Sequence, residues 1–253
     1  MKHNMKLRPQ PFSAVKNGYK TIELRLYDDK RRMINAGDEI VFECTDSGEC
    51  ISKKVTALHI FSDFKELYSK LPLLKCGYTP FTYRSAKAED MADFYPVEEQ
   101  KQNKVVGIEL EEKPLQRFLV GHIGLIPDCS DYETALAEIC RGLKSTHWMW
   151  YVFPEIRGLT ADTVTEYFAL DGLSEAKAFY EHPILGQRLC EITSALLELD
   201  KDDPVSIFGT IDAYKLRYCM TLFDALYPDD SIFGQVLDKY CMGIRDEETL
   251  SLL

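Results

Sequence analysis

The chain has 253 residues, of which 45% are hydrophobic and 28% charged, with a net charge of −11; this suffices for two cored domains and excludes a disordered or fibrous polymer. No apolar run reaches membrane-spanning length and no apolar stretch follows the basic first residues, so neither a membrane nor a secretory route is expected and the cytoplasm is the expected location. An acidic total also excludes extended duplex DNA as a good partner, because distributed negative charge repels its phosphates.

The charge is unevenly spread. Residues 1–117 hold 20 bases and 18 acids, a net of +2, whereas residues 118–253 hold 10 and 23, a net of −13. Residues 1–34 alone carry nine bases against three acids, a local patch suited to phosphates. The eight cysteines are scattered with no CxxC spacing, which reads as reduced thiols. Cys44 and Cys50 flank a hairpin turn, but zinc would need two further ligands and only His59 is nearby, so no metal and no cofactor is expected.

In chain order, residues 6–8 predict a short first strand, and residues 9–16 a turn and short helix ended by Asn17-Gly18. Next comes Gly18-Tyr19-Lys20-Thr21-Ile22-Glu23-Leu24-Arg25. Ile22, Leu24 and Leu26 alternate with Thr21, Glu23 and Arg25, the period of a strand with one buried face. Lys20 shares the parity of the buried set and is expected to point inward at the edge or mouth of a core, where its ammonium could meet a ligand or a carboxylate; the alternative is that Glu23 and Arg25 form a surface pair on one sheet face while Lys20 snorkels to water. Residues 28–32 form a charged turn, read either as a solvated loop or as a phosphate clamp through Arg31 and Arg32. Strands are predicted over 39–44 and 51–60.

Ser62-Asp63 caps a helix containing Phe64, Leu67, Tyr68 and Leu71, stopped by Pro72. Residues 76–83 form an aromatic loop whose Tyr78, Phe81 and Tyr83 either stack on a base or close the core, with core packing expected for at least two of them. Residues 86–94 suggest one more helix, and residues 104–111 a final strand.

Gly18, Lys20 and Arg25 in the pattern Gly-x-Lys-x-x-x-x-Arg, followed by Ala36-Gly37-Asp38-Glu39-Ile40-Val41-Phe42, resemble the ASCH domain of the PUA-like superfamily over about the first 112 residues. The resemblance implies a small, partly open β-barrel with Lys and Arg on the floor of a cleft, and RNA, a nucleotide or a modified nucleoside as partner. The resemblance rests on Gly18, Lys20 and Arg25, and as a binding module the chain would use Gly18, Tyr19, Lys20, Arg25, Arg31 and Arg32, with the basic side chains on phosphate and Tyr19 or the aromatic loop stacked on a base.

One branch of that family removes acyl groups from modified cytidine nucleosides with a Lys at the position of Lys20, aided by a Thr and a Glu. Here the Thr position falls on Glu23, with Thr21 as the nearest hydroxyl. Two functions therefore stand: a binding module, or a hydrolase (amidohydrolase or nuclease) using Lys20, Glu23 and Thr21, in which a desolvated lysine acts as base or nucleophile.

The break at Glu111-Glu112-Lys113-Pro114 sets the expected boundary, giving domains 1–113 and 114–253 and an α+β chain: a PUA-like barrel, then an all-α domain. Ser130-Asp131-Tyr132-Glu133 is a capping box followed by Tyr132, Ala135, Leu136, Ile139 and Leu143 at helical spacing. A second stripe runs through Leu185, Leu189, Ile192, Leu196 and Leu199. Further helices are predicted over 212–226 and 231–241, with Gly243 as a C-cap.

Both tryptophans lie in Lys144-Ser145-Thr146-His147-Trp148-Met149-Trp150. Lys144, His147, Trp148 and Trp150 are therefore candidates for a second pocket, or else a core anchor. The HWMW run, His182-Pro183-Ile184-Leu185-Gly186 and Met220-Thr221-Leu222-Phe223 resemble the DUF1810 family over about 115–253. Glu155, Thr160 and Tyr218-Cys219 depart from its pattern. The resemblance implies an all-helical fold and no particular activity; oligomeric state is open.

Overall fold

The computed structural model describes residues 1–229 and 231–253. The chain is α+β and divides into two compact units, Met1–Gln116 and Arg117–Leu253.

The first unit is a curled five-stranded half-barrel in the order β1-β3-β4-β5-β2. Its strands are β1 (Lys2–Leu7), β2 (Ile22–Leu26), β3 (Glu39–Cys44), β4 (Cys50–Phe61) and β5 (Val105–Leu110). β1 pairs with β3 in parallel, and the other ladders are antiparallel. The first strand starts earlier than residues 6–8 and ends at Leu7, because its parallel register with β3 recruits Lys2 to Met5, a long-range pairing that no local pattern announces.

α1 (Pro9–Asn17) starts on proline and ends at Gly18, whose φ of 88° is the left-handed C-cap. α2 (Asp29–Arg32) is one turn capped by Asp28, and α3 (Phe64–Lys70) is capped by Asp63. The stretch predicted as a helix over 86–94 is instead a 3-10 turn at Ala88–Asp93, and the helix follows it as α4 (Val97–Asn103).

One expectation about β2 is overturned. Ile22, Leu24 and Leu26 do pack together, with Phe64, Leu67 and Val105, but the opposite face is buried too. Glu23 pairs with Ile108 and Arg25 with Val106, so their side chains share the face of the barrel's interior core, formed by Phe42, Val106, Ile108 and Leu110. Glu23 is only 3% exposed. Alternation finds two faces but does not say that both are covered. Of the aromatic loop, only Tyr78 packs against a core cluster; Phe81 is exposed and Tyr83 half-buried, so the expected core role for two of the three does not hold.

The second unit is helical: α5 (Gln116–His122, whose first residue belongs to the first unit), α6 (Tyr132–Cys140), α7 (Met149–Val152), α8 (Thr163–Phe168), α9 (Gly172–Glu181), α10 (Leu185–Leu197), α11 (Pro204–Phe208), α12 (Thr210–Leu226), α13 (Ile232–Cys241) and α14 (Glu247–Ser251). The longest, α12, packs against α9, α11, α13 and α14. Leu185, Leu189, Ile192 and Leu196 form the buried stripe of α10. Leu143, placed on the stripe of α6, is instead exposed, because α6 has already ended at Cys140. Among the described residues no helix is long and apolar enough to cross a membrane.

Candidate functional site

The backbone around Lys20 is fixed from two sides. Gly18 and Lys20 both donate their N–H to the Ala14 carbonyl at 3.1 Å, and Thr21 and Ile22 donate theirs to the Lys75 carbonyl at 2.8 Å. Gly77, at φ +100°, lies against the Lys20 stem: a Cβ there would stand 3.0 Å from Lys20 Cδ. Glycine is required for both reasons, conformation and space. Lys20 thus precedes β2 rather than continuing it, and it reaches the Glu23 face that its parity would have denied it.

The result is a chain of charges. Lys20 Nζ stands 2.8 Å from Glu23 Oε2, with side chains 11% and 4% exposed. Arg25 Nε donates to Glu23 Oε1 at 2.8 Å, Nη1 to Tyr95 Oη at 3.3 Å and Nη2 to the Lys6 carbonyl at 2.8 Å. Burial works against the Arg25 charge, but Glu23 and Tyr95 outweigh it and hold the guanidinium above its ordinary value. The Lys20–Glu23 contact is close but off the hydrogen-bond direction, so Glu23 Oε2 is buried without an aligned donor.

These groups line a cavity of about 480 Å³, within the range that takes a small ligand. Tyr19, Tyr68, Tyr78, Phe94 and Tyr95 supply aromatic wall. Tyr68 and Tyr78 share a hydrogen bond between their hydroxyls at 2.8 Å, and Tyr95 stacks on Phe64 at 5.6 Å. Burial pushes the Tyr19 and Tyr68 phenols above their usual value, so both stay neutral donors. It also pushes the Cys76 thiol to about 12, which makes that lining cysteine a poor nucleophile. The cavity therefore offers Lys20 and Arg25, with Lys6 and Arg8 also in its lining, one incompletely bonded carboxylate oxygen and flat apolar faces.

The other expected residues lie elsewhere. Gly18 and Thr21 line a separate recess of about 130 Å³ shared with Lys20, where Thr21 Oγ1 is buried without a hydrogen-bond partner among the described residues. Arg31 lines a neighbouring cleft of about 610 Å³ that shares Lys6 and Arg25 with the first cavity, and it is held by Asp28 at 2.8 Å. Arg32 donates to the Tyr27 carbonyl, lies over the Tyr27 ring and pairs with Asp29; no cavity described here is lined by it. Arg31 and Arg32 are thus not brought to Lys20, because α2 turns them back onto their own acidic residues. Sequence reasoning missed Tyr68, Tyr95 and Phe94. Tyr95 reaches Arg25 across 70 residues, and no local signal marks it.

In the helical unit the four candidates take different roles. Trp148 is fully buried, and its Nε1 donates to Glu138 Oε2 at 2.7 Å, which makes it a core anchor and not a pocket wall. Lys144 pairs with Asp212 at 2.8 Å. Trp150 is half-buried beside His147, their rings 6.3 Å apart at 14°. Among the described residues no group of three His, Cys, Asp or Glu side chains is arranged to hold a metal.

Comparison with known proteins agrees with this division. The ASCH domain model matches residues 5–114, and the model of DUF1810, described as a protein of unknown function, matches residues 112–253. The crystal structure of the conserved hypothetical protein Rv1873 from Mycobacterium tuberculosis is 34% identical, covers 55% of this chain and 95% of its own, and superposes with a TM-score of 0.51. A Pyrococcus furiosus protein of known solution structure is 32% identical, covering 44% of this chain and 96% of its own, with a TM-score of 0.35. The ASCH crystal structure from Zymomonas mobilis is 18% identical, covering 43% and 66%, with a TM-score of 0.30. No curated protein matches. With more than half its length matched by one family model and nearly all the rest by another, the chain belongs to the DUF1810 family and carries an ASCH domain ahead of that family's helical region.

Proposed function

We propose that residues 1–113 form a cytoplasmic binding module that takes a nucleotide, a modified nucleoside or a short single-stranded RNA segment into the Lys20 cavity. The observation that carries this reading is the Lys20–Glu23–Arg25 chain with its under-bonded Glu23 Oε2, set among tyrosines in a cavity of about 480 Å³. A nucleobase satisfies each part. An exocyclic amine or ring N–H donates to Glu23 Oε2, a carbonyl accepts from Lys20, and the flat face lies against a tyrosine, worth about 1–3 kcal/mol per stacked base.

The same geometry weighs against the hydrolase. Lys20 Nζ is engaged by a carboxylate at 2.8 Å where a nucleophile needs to face its substrate, and Thr21 opens on the other recess. The test is a thermal-shift and calorimetric screen of nucleosides, nucleotides and short RNAs. Lys20→Ala is expected to weaken any hit at least tenfold, and Glu23→Gln to change which base is preferred. Turnover of an acylated cytidine that disappears in Lys20→Ala would replace the module with the enzyme, and equal binding by wild type and Lys20→Ala would remove the site.

A further inference from the structure

Lys215, on α12, is an ammonium nearly sealed in protein at 9% exposure. Its Nζ donates to Thr165 Oγ1 at 3.1 Å and stands 5.5 Å from the centre of the Trp150 ring. It forms no ion pair among the described residues; Asp212, Glu155 and Asp162 act on it only at longer range, and burial pushes its amine below the ordinary lysine value. Cations this buried are normally matched. In the same unit Arg117 has Glu175 at 2.6 Å, Arg217 has Asp246 at 2.7 Å and Arg245 has Asp224 at 2.9 Å, with side chains 13%, 30% and 38% exposed, and the part-buried Lys239 donates to the Leu197 and Leu199 carbonyls. Lys215 is more buried than these, and the one acceptor it has among the described residues is the Thr165 hydroxyl.

Its surroundings are incomplete in a second way. Glu155, 4% exposed, keeps Oε2 buried with no hydrogen-bond partner among the described residues, and burial holds its carboxyl above the usual range against the opposing pull of Thr160 and of the Lys215 charge. Lys144 is near enough for its charge to act on Lys215, and it lies 5.3 Å from the centre of the Trp148 ring while pairing with Asp212. Toward the surface the cluster ends in Lys144 and Asp212, whose side chains are 10% and 20% exposed, the half-buried Trp150 and the exposed His147.

We propose that this cluster is a ligand site in which the carboxylate or phosphate of a small molecule supplies the missing counter-ion of Lys215, with Lys144 as second cation and Trp150 and His147 at the entrance. The Glu155 carboxyl is the neighbouring hydrogen-bonding group for the rest of that molecule. A small ligand fits better than a polyanion, because the net −13 of residues 118–253 repels extended negative charge while two inward ammonium groups still hold a single anionic group. This site is independent of the barrel and of what the barrel binds.

Trp148 and Trp150 are the chain's two tryptophans, so intrinsic fluorescence reports on this cluster directly. The full chain is titrated with inorganic phosphate and, separately, with acetate and succinate, at constant ionic strength held with chloride. A saturable change is expected for one of the two anion classes, and which one responds tells phosphate from carboxylate. Lys215→Met should weaken it at least tenfold with helicity unchanged, Lys144→Gln several-fold, and Asp212→Asn should tighten it by freeing Lys144. If Lys215→Met does not fold, the opposite signs of the Lys144 and Asp212 variants carry the test. No saturable response to any of these anions, or equal responses in wild type and the variants, overturns the site.

Discussion

Two buried carboxylates, one in each unit, look alike by burial and differ in everything else. Glu23 is 3% exposed and Glu138 1%. Glu138 Oε2 accepts from the Ser145 N–H at 2.9 Å, the Thr146 N–H at 3.2 Å and Trp148 Nε1 at 2.7 Å, and it stitches the turn after α6 to the tryptophan anchor. Glu23 meets two cations, keeps one oxygen short of a donor and lines a cavity. Burial and charge therefore do not separate a structural acid from one proposed to recognise a ligand. Whether the bonding is finished, and whether space adjoins it, does.

That contrast breaks most sharply at Glu138. Glu138→Ala strands three buried donors at once, and a loss of about 3–5 kcal/mol is expected, read from the denaturant midpoint of the helical unit's transition. Burial alone would raise the Glu138 carboxyl, but the hydrogen bonds from Ser145, Trp148 and Thr146 outweigh it and leave it below the usual value. Its contribution is therefore complete above the unfolded glutamate value of about 4.3 and is lost as pH falls through the lower folded value. Glu23→Gln, which leaves a neutral group of the same shape between two cations, should cost less, about 1–3 kcal/mol.

A buried histidine sharpens the acid side of the same comparison. His122 Nε2 donates to the Tyr151 carbonyl at 2.8 Å, its ring stacks on Tyr132 at 5.5 Å, and Nδ1 is buried with no hydrogen-bond partner among the described residues. Burial, above all, drives its value down to about 4. The folded value lies below the unfolded one of about 6.5, so stability is full above about 6.5 and declines as pH falls toward 4, by up to about 3 kcal/mol. Melting curves between pH 7 and 4 should show this slope, and His122→Gln should flatten it at a fixed cost.

Lys20 and Arg25 were legible because a glycine turn, a cation and a second cation five residues on survive in one dimension. The face of Glu23 was not. Ile22, Leu24 and Leu26 gave a correct alternation, yet the second cover over β2 comes from β5 and the interior core, contacts 80 residues away that no window contains. In the helical unit the long apolar stripes of α10, α12 and α13 were readable, whereas α7, α8, α11 and α14, at four to six residues, are too short for periodicity to define. Lys215 passed as an ordinary lysine because its missing partner is a property of the fold and not of the string.

Gly77 tests whether the barrel site depends on its backbone frame. Gly77→Ala forces a side chain into φ +100° with its Cβ 3.0 Å from Lys20 Cδ. It should destabilise the first unit by about 1–2 kcal/mol and weaken ligand binding beyond that, since Lys20 is the atom group displaced. Unchanged affinity in a folded Gly77→Ala variant would mean that Lys20 finds the ligand without its glycine bed.

The smallest effect is the most discriminating. Arg32 pairs at 3.4 Å with Asp29, whose side chain is 98% exposed, and it lines none of the cavities described here. Arg32→Ala should therefore shift stability by less than about 0.5 kcal/mol and leave affinity for a single nucleoside untouched. Arg31→Ala, from the cleft that shares Lys6 and Arg25 with the main cavity, should leave nucleoside affinity alone but lower affinity for a ligand that extends past the cavity through a phosphate. Isothermal titrations with a nucleoside and a matching dinucleotide separate the two arginines. If both variants lose nucleoside binding equally, the basic patch acts by its summed field and not through the chain of Lys20, Glu23 and Arg25.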